Sequence, residues 1–161
     1  MTTPEAVAEA AARIAPHVLR TPLLHSRPLS ARTGAQVLLK LESEQTTGSF
    51  KLRGATNKLL AATEADRRRG FVTASSGNHG LAMATALSAI GLPGTIVLPA
   101  TAAPAKRAAL AEFPGVEILL HGHDCVVAEG HARQLAADTG RIFVSPYNDA
   151  EYGGRSPLDL R

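Results

Sequence analysis

The chain has 161 residues, 45% of them hydrophobic, 4% aromatic and 19% charged, with a formal net charge of +3. That length fits one packed domain with room for a second small one, and the apolar content excludes a disordered chain. The only dense basic run, Arg67-Arg68-Arg69, has no interleaved aromatics and reads as the end of a solvated helix, so no nucleic-acid partner is expected.

Thr3 as N-cap and Pro4 at the first helical position open a helix over 4–15. That helix carries Glu5 and Glu9 and lacks an apolar core, so it is not read as a targeting peptide. A loop follows through Thr21-Pro22. Val37 to Leu41, bracketed by Gly34 and the polar stretch from Glu42, reads as a strand. Ser49 is expected to cap a helix reaching about Ala62. Phe71 to Ala74 reads as a buried strand, followed by a helix from about Asn78 to Ile90 that stops at Gly91. Thr95 to Leu98 is a strand, and Pro104 opens the next helix. Val116 to Leu120 is a strand, Val126 to Ala137 a helix and Ile142 to Val144 a last strand. After Pro146-Tyr147-Asn148-Asp149 the chain has no helical or strand period and reads as a loose end.

Alternation of strands and helices from Phe71 onward predicts an α/β fold, an open and mostly parallel sheet with helices on both faces. Ligands of such sheets sit at the carboxyl ends of strands. Phe71–Ala74 runs directly into Ser75–Gly80, so that turn lies where a ligand is expected.

The single cysteine, Cys125, excludes an intrachain disulfide and fits a reducing cytoplasm. It reads as a small core or helix-start residue. No apolar stretch is long enough to span a membrane, so no membrane partner is expected.

Two segments carry the chemistry. Lys51 in Thr47-Gly48-Ser49-Phe50-Lys51 places an amine two residues into a helix, where the helix dipole favours an acid instead. With Phe50 beside it and Arg53 following, the amine is expected to be driven toward its neutral, nucleophilic form; the alternative is a solvent-facing lysine. Ser75-Ser76-Gly77-Asn78-His79-Gly80 is a glycine-containing turn whose helix-start N–H groups suit an anion. Taken alone, it reads first as an ordinary strand-to-helix turn capped by Ser75 or Ser76. His121-Gly122-His123-Asp124-Cys125 invites a metal reading, but its spacing matches no structural zinc pattern and no second ligand cluster exists, so no metal is expected.

Together, Lys40-Leu41-Glu42, Thr47 to Ala55, Ser75 to Gly80 and Pro146-Tyr147-Asn148-Asp149 resemble the fold type II pyridoxal-phosphate enzymes. Within them the likeness is to the threonine/serine dehydratase and serine racemase branch, over roughly residues 5 to 150. The resemblance implies that Lys51 bonds pyridoxal 5'-phosphate covalently and later moves the α proton. It implies that Phe50 packs against the cofactor and Asn78 hydrogen-bonds its phenolic oxygen. Ser75, Gly77, Asn78 and His79 would line the loop that grips the substrate carboxylate. Ser76 aligns with the second acid/base of racemases. The implied reaction is a lyase one, in which a small hydroxy amino acid loses water and gives a 2-oxo acid and ammonia.

The chain departs from this family in length. The glycine-rich loop for the cofactor phosphate and the hydroxyl facing the pyridine nitrogen belong to a second half not found here. The expected division is therefore an N-terminal segment of the large domain (1–45), a small α/β domain (46–149) and an irregular tail (150–161), as in a truncated gene product. Residues 5–45 would expose apolar surface, inviting a homo-oligomer or other association. A racemase, or a non-catalytic domain that pairs with a partner, stand as alternatives.

Overall fold

The structure, a computed structural model, describes residues 3–147. Helix α1 spans Pro4–Ile14, and the Thr3 hydroxyl accepts the Ala6 N–H at 3.2 Å, the expected cap. Its buried Ala10 and Ile14 lie against α3 (Lys51–Ala61), and Arg13 Nη1 donates to Asn57 Oδ1 at 2.7 Å.

The loop expected around Thr21-Pro22 is followed by more structure than the sequence reading gives. Strand β1 (Leu23–His25) pairs antiparallel with β2 (Leu38–Lys40), and α2 (Arg27–Thr33) connects them. Helix α2 has Pro28 in its first turn and ends at Gly34, whose φ of 69° is the left-handed cap geometry that glycine adopts without strain. Successive strand residues point to opposite faces. Leu23 and Leu24 are nonetheless 58% and 52% exposed, and Leu38 and Leu39 are 49% and 40% exposed. Both faces of the ribbon are therefore open and apolar.

Arg53 ties this segment to α3. Its guanidinium makes a two-pronged contact with Glu42, Nε to Oε2 and Nη2 to Oε1, both at 2.8 Å. It also reaches the Leu19 carbonyl and the Thr21 hydroxyl. Thr21 in turn donates to Glu42 at 2.6 Å. The Gln45 side chain clasps both the N–H and the carbonyl of Leu19.

The second part is the parallel sheet the alternation implied. Its strands β3 (Phe71–Ala74), β4 (Gly94–Leu98), β5 (Val116–Leu120) and β6 (Ile142–Phe143) lie in the order β5-β4-β3-β6, every pair parallel. Helices α4 (Glu64–Arg69), α5 (Asn78–Ile90), α6 (Pro104–Ala111) and α7 (Cys125–Thr139) complete it. The strand period of two divides the core. Phe71, Ile96 and Leu98 join Leu52, Leu59, Met83, Leu87 and Leu110 on one face. Val72, Ala74 and Val97 meet Ala128, Ala132 and Ala136 of α7 on the other. Alanines at spacing four make one smooth helical stripe, which suits a helix lying close on a sheet.

One cap differs from expectation. Ser49 does not cap α3, because Phe50 is already helical (φ −63°, ψ −16°) and Lys51 is the first helical residue. The Ser49 hydroxyl is buried with no partner among the described residues. Helix α4 is a separate element opened by Thr63, whose hydroxyl accepts the Asp66 N–H and donates to its carboxylate. It does end in the three arginines. Asn148, Asp149 and the tail 150–161 lie outside the described residues.

Candidate functional site

The carboxyl ends of β3 and its neighbour β6 carry the residues singled out by the sequence. Strand β3 ends at Ala74 and passes through Ser75–Gly77 into α5. The chain leaving β6 passes through Val144 and Ser145 to Pro146. Lys51 comes from the start of α3, which packs against α5. Its Nζ donates to the Pro146 carbonyl at 2.9 Å and lies 5.2 Å from the centroid of the Phe50 ring. The ring is 42% exposed, so an apolar face stands open beside the amine.

Arg53 does not press on that amine. Residues two apart on a helix do not share a face, and the Arg53 guanidinium is turned to Glu42. His79 is the group that senses Lys51 instead. Burial holds the imidazole well below its usual range, at about 4, and the Lys51 cation adds to the effect, with a Val144 backbone contact opposing it. His79 is therefore neutral at pH 7.

The glycine turn is built without a side-chain cap on α5. Neither Ser75 nor Ser76 caps it; Gly77 occupies the cap position. The Ser75 hydroxyl instead accepts the Gly77 N–H at 3.2 Å. The first intrahelical bond is Leu81 N–H to the Gly77 carbonyl, at 3.1 Å. The N–H groups of Asn78, His79 and Gly80 thus precede the helical ladder, the arrangement that receives an anion. Gly77 and Asn78 are exposed, while Ser75 and Ser76 are half-buried. Gly80 is needed by close approach: a Cβ there would sit 2.0 Å from the Ser75 carbonyl oxygen.

His79 differs from its neighbours. It is 8% exposed, and its ring points into the protein, not toward the open turn. Its Nε2 lies 3.0 Å from the Thr73 hydroxyl, which donates to the Val144 carbonyl at 2.7 Å. Thr73 and the Pro146 carbonyl are absent from the sequence reading. Neither carries a signal, since each acts through a contact distant in sequence.

Among the described residues no three His, Cys, Asp or Glu side chains are placed together to hold a metal ion. His121 stacks on His131 with ring centroids 3.8 Å apart. Asp124 caps α7 through the N–H groups of Val126 and Val127. Cys125 is an exposed helix-start residue. No helix among the described residues is long and apolar enough to cross a membrane.

An amine beside an open aromatic face, next to a helix start with free N–H groups, fits an aldehyde cofactor and a carboxylate substrate. The family described as "Pyridoxal-phosphate dependent enzyme" matches residues 14–154. The chain is 40% identical over 149 residues to the L-threonine ammonia-lyase of Thermotoga maritima, covering 92% of this chain and 37% of that one. Among solved structures it resembles maize serine racemase (TM-score 0.79, 34% identity, 90% of this chain and 44% of that one). It also resembles the T.th. threonine deaminase (TM-score 0.76, 37% identity, 91% and 46%). The chain spans less than half the length of these relatives.

Proposed function

The chain belongs to the pyridoxal-phosphate dependent enzyme family, and from that premise we propose that it carries the lysine-bearing part of a threonine/serine dehydratase-like lyase. The observation that carries this reading is the Lys51 amine, hydrogen-bonded to Pro146 at 2.9 Å between the Phe50 ring and the start of α5. Relatives named threonine ammonia-lyase and threonine deaminase support the same substrate class, a small hydroxy amino acid.

When bound, pyridoxal phosphate supplies an electron sink for charge developing at the α carbon. Lys51 Nζ would hold the group covalently and, once freed, would be the base that takes the α proton. The exposed Phe50 ring would pack against the cofactor. The Asn78 side chain would hydrogen-bond its phenolic oxygen. Ser75, Gly77, Asn78 and His79 form the loop that binds the substrate carboxylate, with the helix-start N–H groups as donors. The net reaction would convert the hydroxy amino acid to a 2-oxo acid and ammonia.

The apolar ribbon of Leu23, Leu24, Leu38 and Leu39 supports residues 1–45 as part of a second unit. In that arrangement residues 46–149 form the small domain.

A second reading, an amino-acid racemase, is favoured by Ser76, half-buried in the same turn, and by the likeness to maize serine racemase. There the Ser76 hydroxyl would return a proton to the face opposite Lys51. Incubating the purified chain with pyridoxal phosphate and L-threonine or L-serine separates the two. Oxo acid without D-amino acid supports the lyase; D-serine production that falls in Ser76→Ala supports the racemase. Neither product, with cofactor bound to Lys51, would mean that the chain holds the group without turning it over.

A further inference from the structure

His79 belongs to the turn read above as binding the carboxylate, yet its ring faces away from that turn. Its surroundings define its protonation. The Val144 carbonyl can only accept, so the Thr73 hydroxyl spends its one proton there, at 2.7 Å. The oxygen is left with lone pairs toward His79 Nε2, 3.0 Å away. An unprotonated Nε2 would bring two acceptors together. Nε2 therefore carries the hydrogen, and the order is His79 Nε2–H to Thr73 Oγ1–H to Val144 O.

This relay joins three separate pieces of the site. His79 is the second residue of α5 and follows the glycine turn directly. Thr73 is in β3. Val144 stands two residues before Pro146, whose carbonyl receives the Lys51 ammonium at 2.9 Å. Thr73 is 1% exposed and Val144 is buried. The relay is shielded from water, where hydrogen bonds hold geometry best.

We propose that His79 is a positioning residue, its imidazole fixed as the Nε2–H tautomer by Thr73 so that the glycine turn and the Lys51-holding segment Val144–Pro146 keep one mutual register. The proposal rests on the reading of Lys51 and the turn as the reacting and binding groups only for its catalytic meaning; the register itself belongs to the free chain. Lys51 of α3 is the charged group that faces the ring; Thr73 and Val144 are its uncharged partners.

Two measurements on the 161-residue chain test it without cofactor. Long-range proton–nitrogen NMR of the histidine rings reads the tautomer. His79 should be neutral with hydrogen on Nε2 from about pH 5.5 to about pH 8, while an ordinary histidine titrates across that range. Sub-saturating acetylation followed by mass spectrometry reads the ratio of Lys51 to exposed Lys106. In Thr73→Val the Val144 carbonyl loses its anchor, the segment leading to Pro146 loses its register, and the Lys51 amine is held less well. The ratio should rise by about threefold to tenfold, the size of one net hydrogen bond. Thr73→Ser restores the hydroxyl and should return the ratio to the wild-type value. A purely structural role would lower the melting temperature and leave the ratio unchanged in the folded variant.

Hydrogen on Nδ1, a protonated ring at neutral pH, or a folded Thr73→Val with the wild-type ratio would each overturn the proposal. Should Thr73→Val not fold, the wild-type tautomer and the Thr73→Ser ratio decide. Failure of Lys51 to bond the cofactor would defeat the functional reading and leave both results standing.

Discussion

The Lys51 ammonium is hydrogen-bonded to the Pro146 carbonyl at 2.9 Å, across 95 positions of sequence. The contact joins the start of α3 to the segment leaving the edge strand β6. It also brings a cation close enough to His79 to disfavour charge there.

Removing that cation should move His79. In Lys51→Ala, the His79 pKa should rise above its native value of about 4 and stay below an ordinary histidine's, because burial is the larger cause. An NMR titration of the ring carbons reads this directly. Folding should change little, since the amine makes one half-buried hydrogen bond worth about 1 kcal/mol.

His79 also sets a pH dependence of stability. Its native pKa is depressed to about 4, against 6.5 when exposed. Between these values the unfolded chain binds more protons than the folded one, so stability rises with pH across that window. It is fully present above pH 6.5 and lost progressively down to about pH 4, a contribution on the order of 3 kcal/mol. Denaturant melts at several pH values should show this slope in the wild type and a flatter one in His79→Gln.

Glu42 and Arg53 should hold the N-terminal segment on α3. Both side chains are largely buried, and the Arg53 hydrogen bonds keep the Glu42 carboxyl below its usual range. Arg53→Ala strands that carboxylate and frees the Leu19 carbonyl and Thr21 hydroxyl. The expected cost is about 3 kcal/mol, with earlier proteolytic cleavage between residues 18 and 45. The Glu42 contribution runs opposite to that of a cation: present at neutral pH and lost as pH falls through its depressed native value.

Gly80→Ala should disturb the turn Ser75–Gly80. Its Cβ would meet the Ser75 carbonyl oxygen at 2.0 Å, and that neighbour is backbone. A loss of about 1–3 kcal/mol is expected, as for an overpacked site, measured by thermal melting. Gly91→Ala, strained by its φ of 76° but open around the Cβ, should disturb α5 without touching the turn.

The sheet is legible in the sequence because each of its longer strands is an apolar run bounded by turn residues. Phe71–Ala74 and Val116–Leu120 have the limits their local pattern predicts. Leu23–His25 is not legible, since three residues are too few to display alternation. Helix α2 does carry start and stop signals in Pro28 and Gly34, which the loop reading of that stretch leaves unused. The Ser49 cap fails because the chain enters the helical conformation at Phe50, which only the tertiary turn before it dictates. Within the site, Lys51 and Ser75–Gly80 stand out by their local pattern. The His79–Thr73–Val144 relay does not, because hydrogen bonds linking residues up to 71 positions apart leave no local signature.

The most direct test of Lys51 as the cofactor-bearing residue is borohydride reduction of the purified chain after titration with pyridoxal phosphate, followed by peptide mapping. Stoichiometric modification at Lys51, absent in Lys51→Ala and with Lys40, Lys58 and Lys106 left unmodified, is the expected result. Modification scattered over exposed lysines, or none at all, would contradict it.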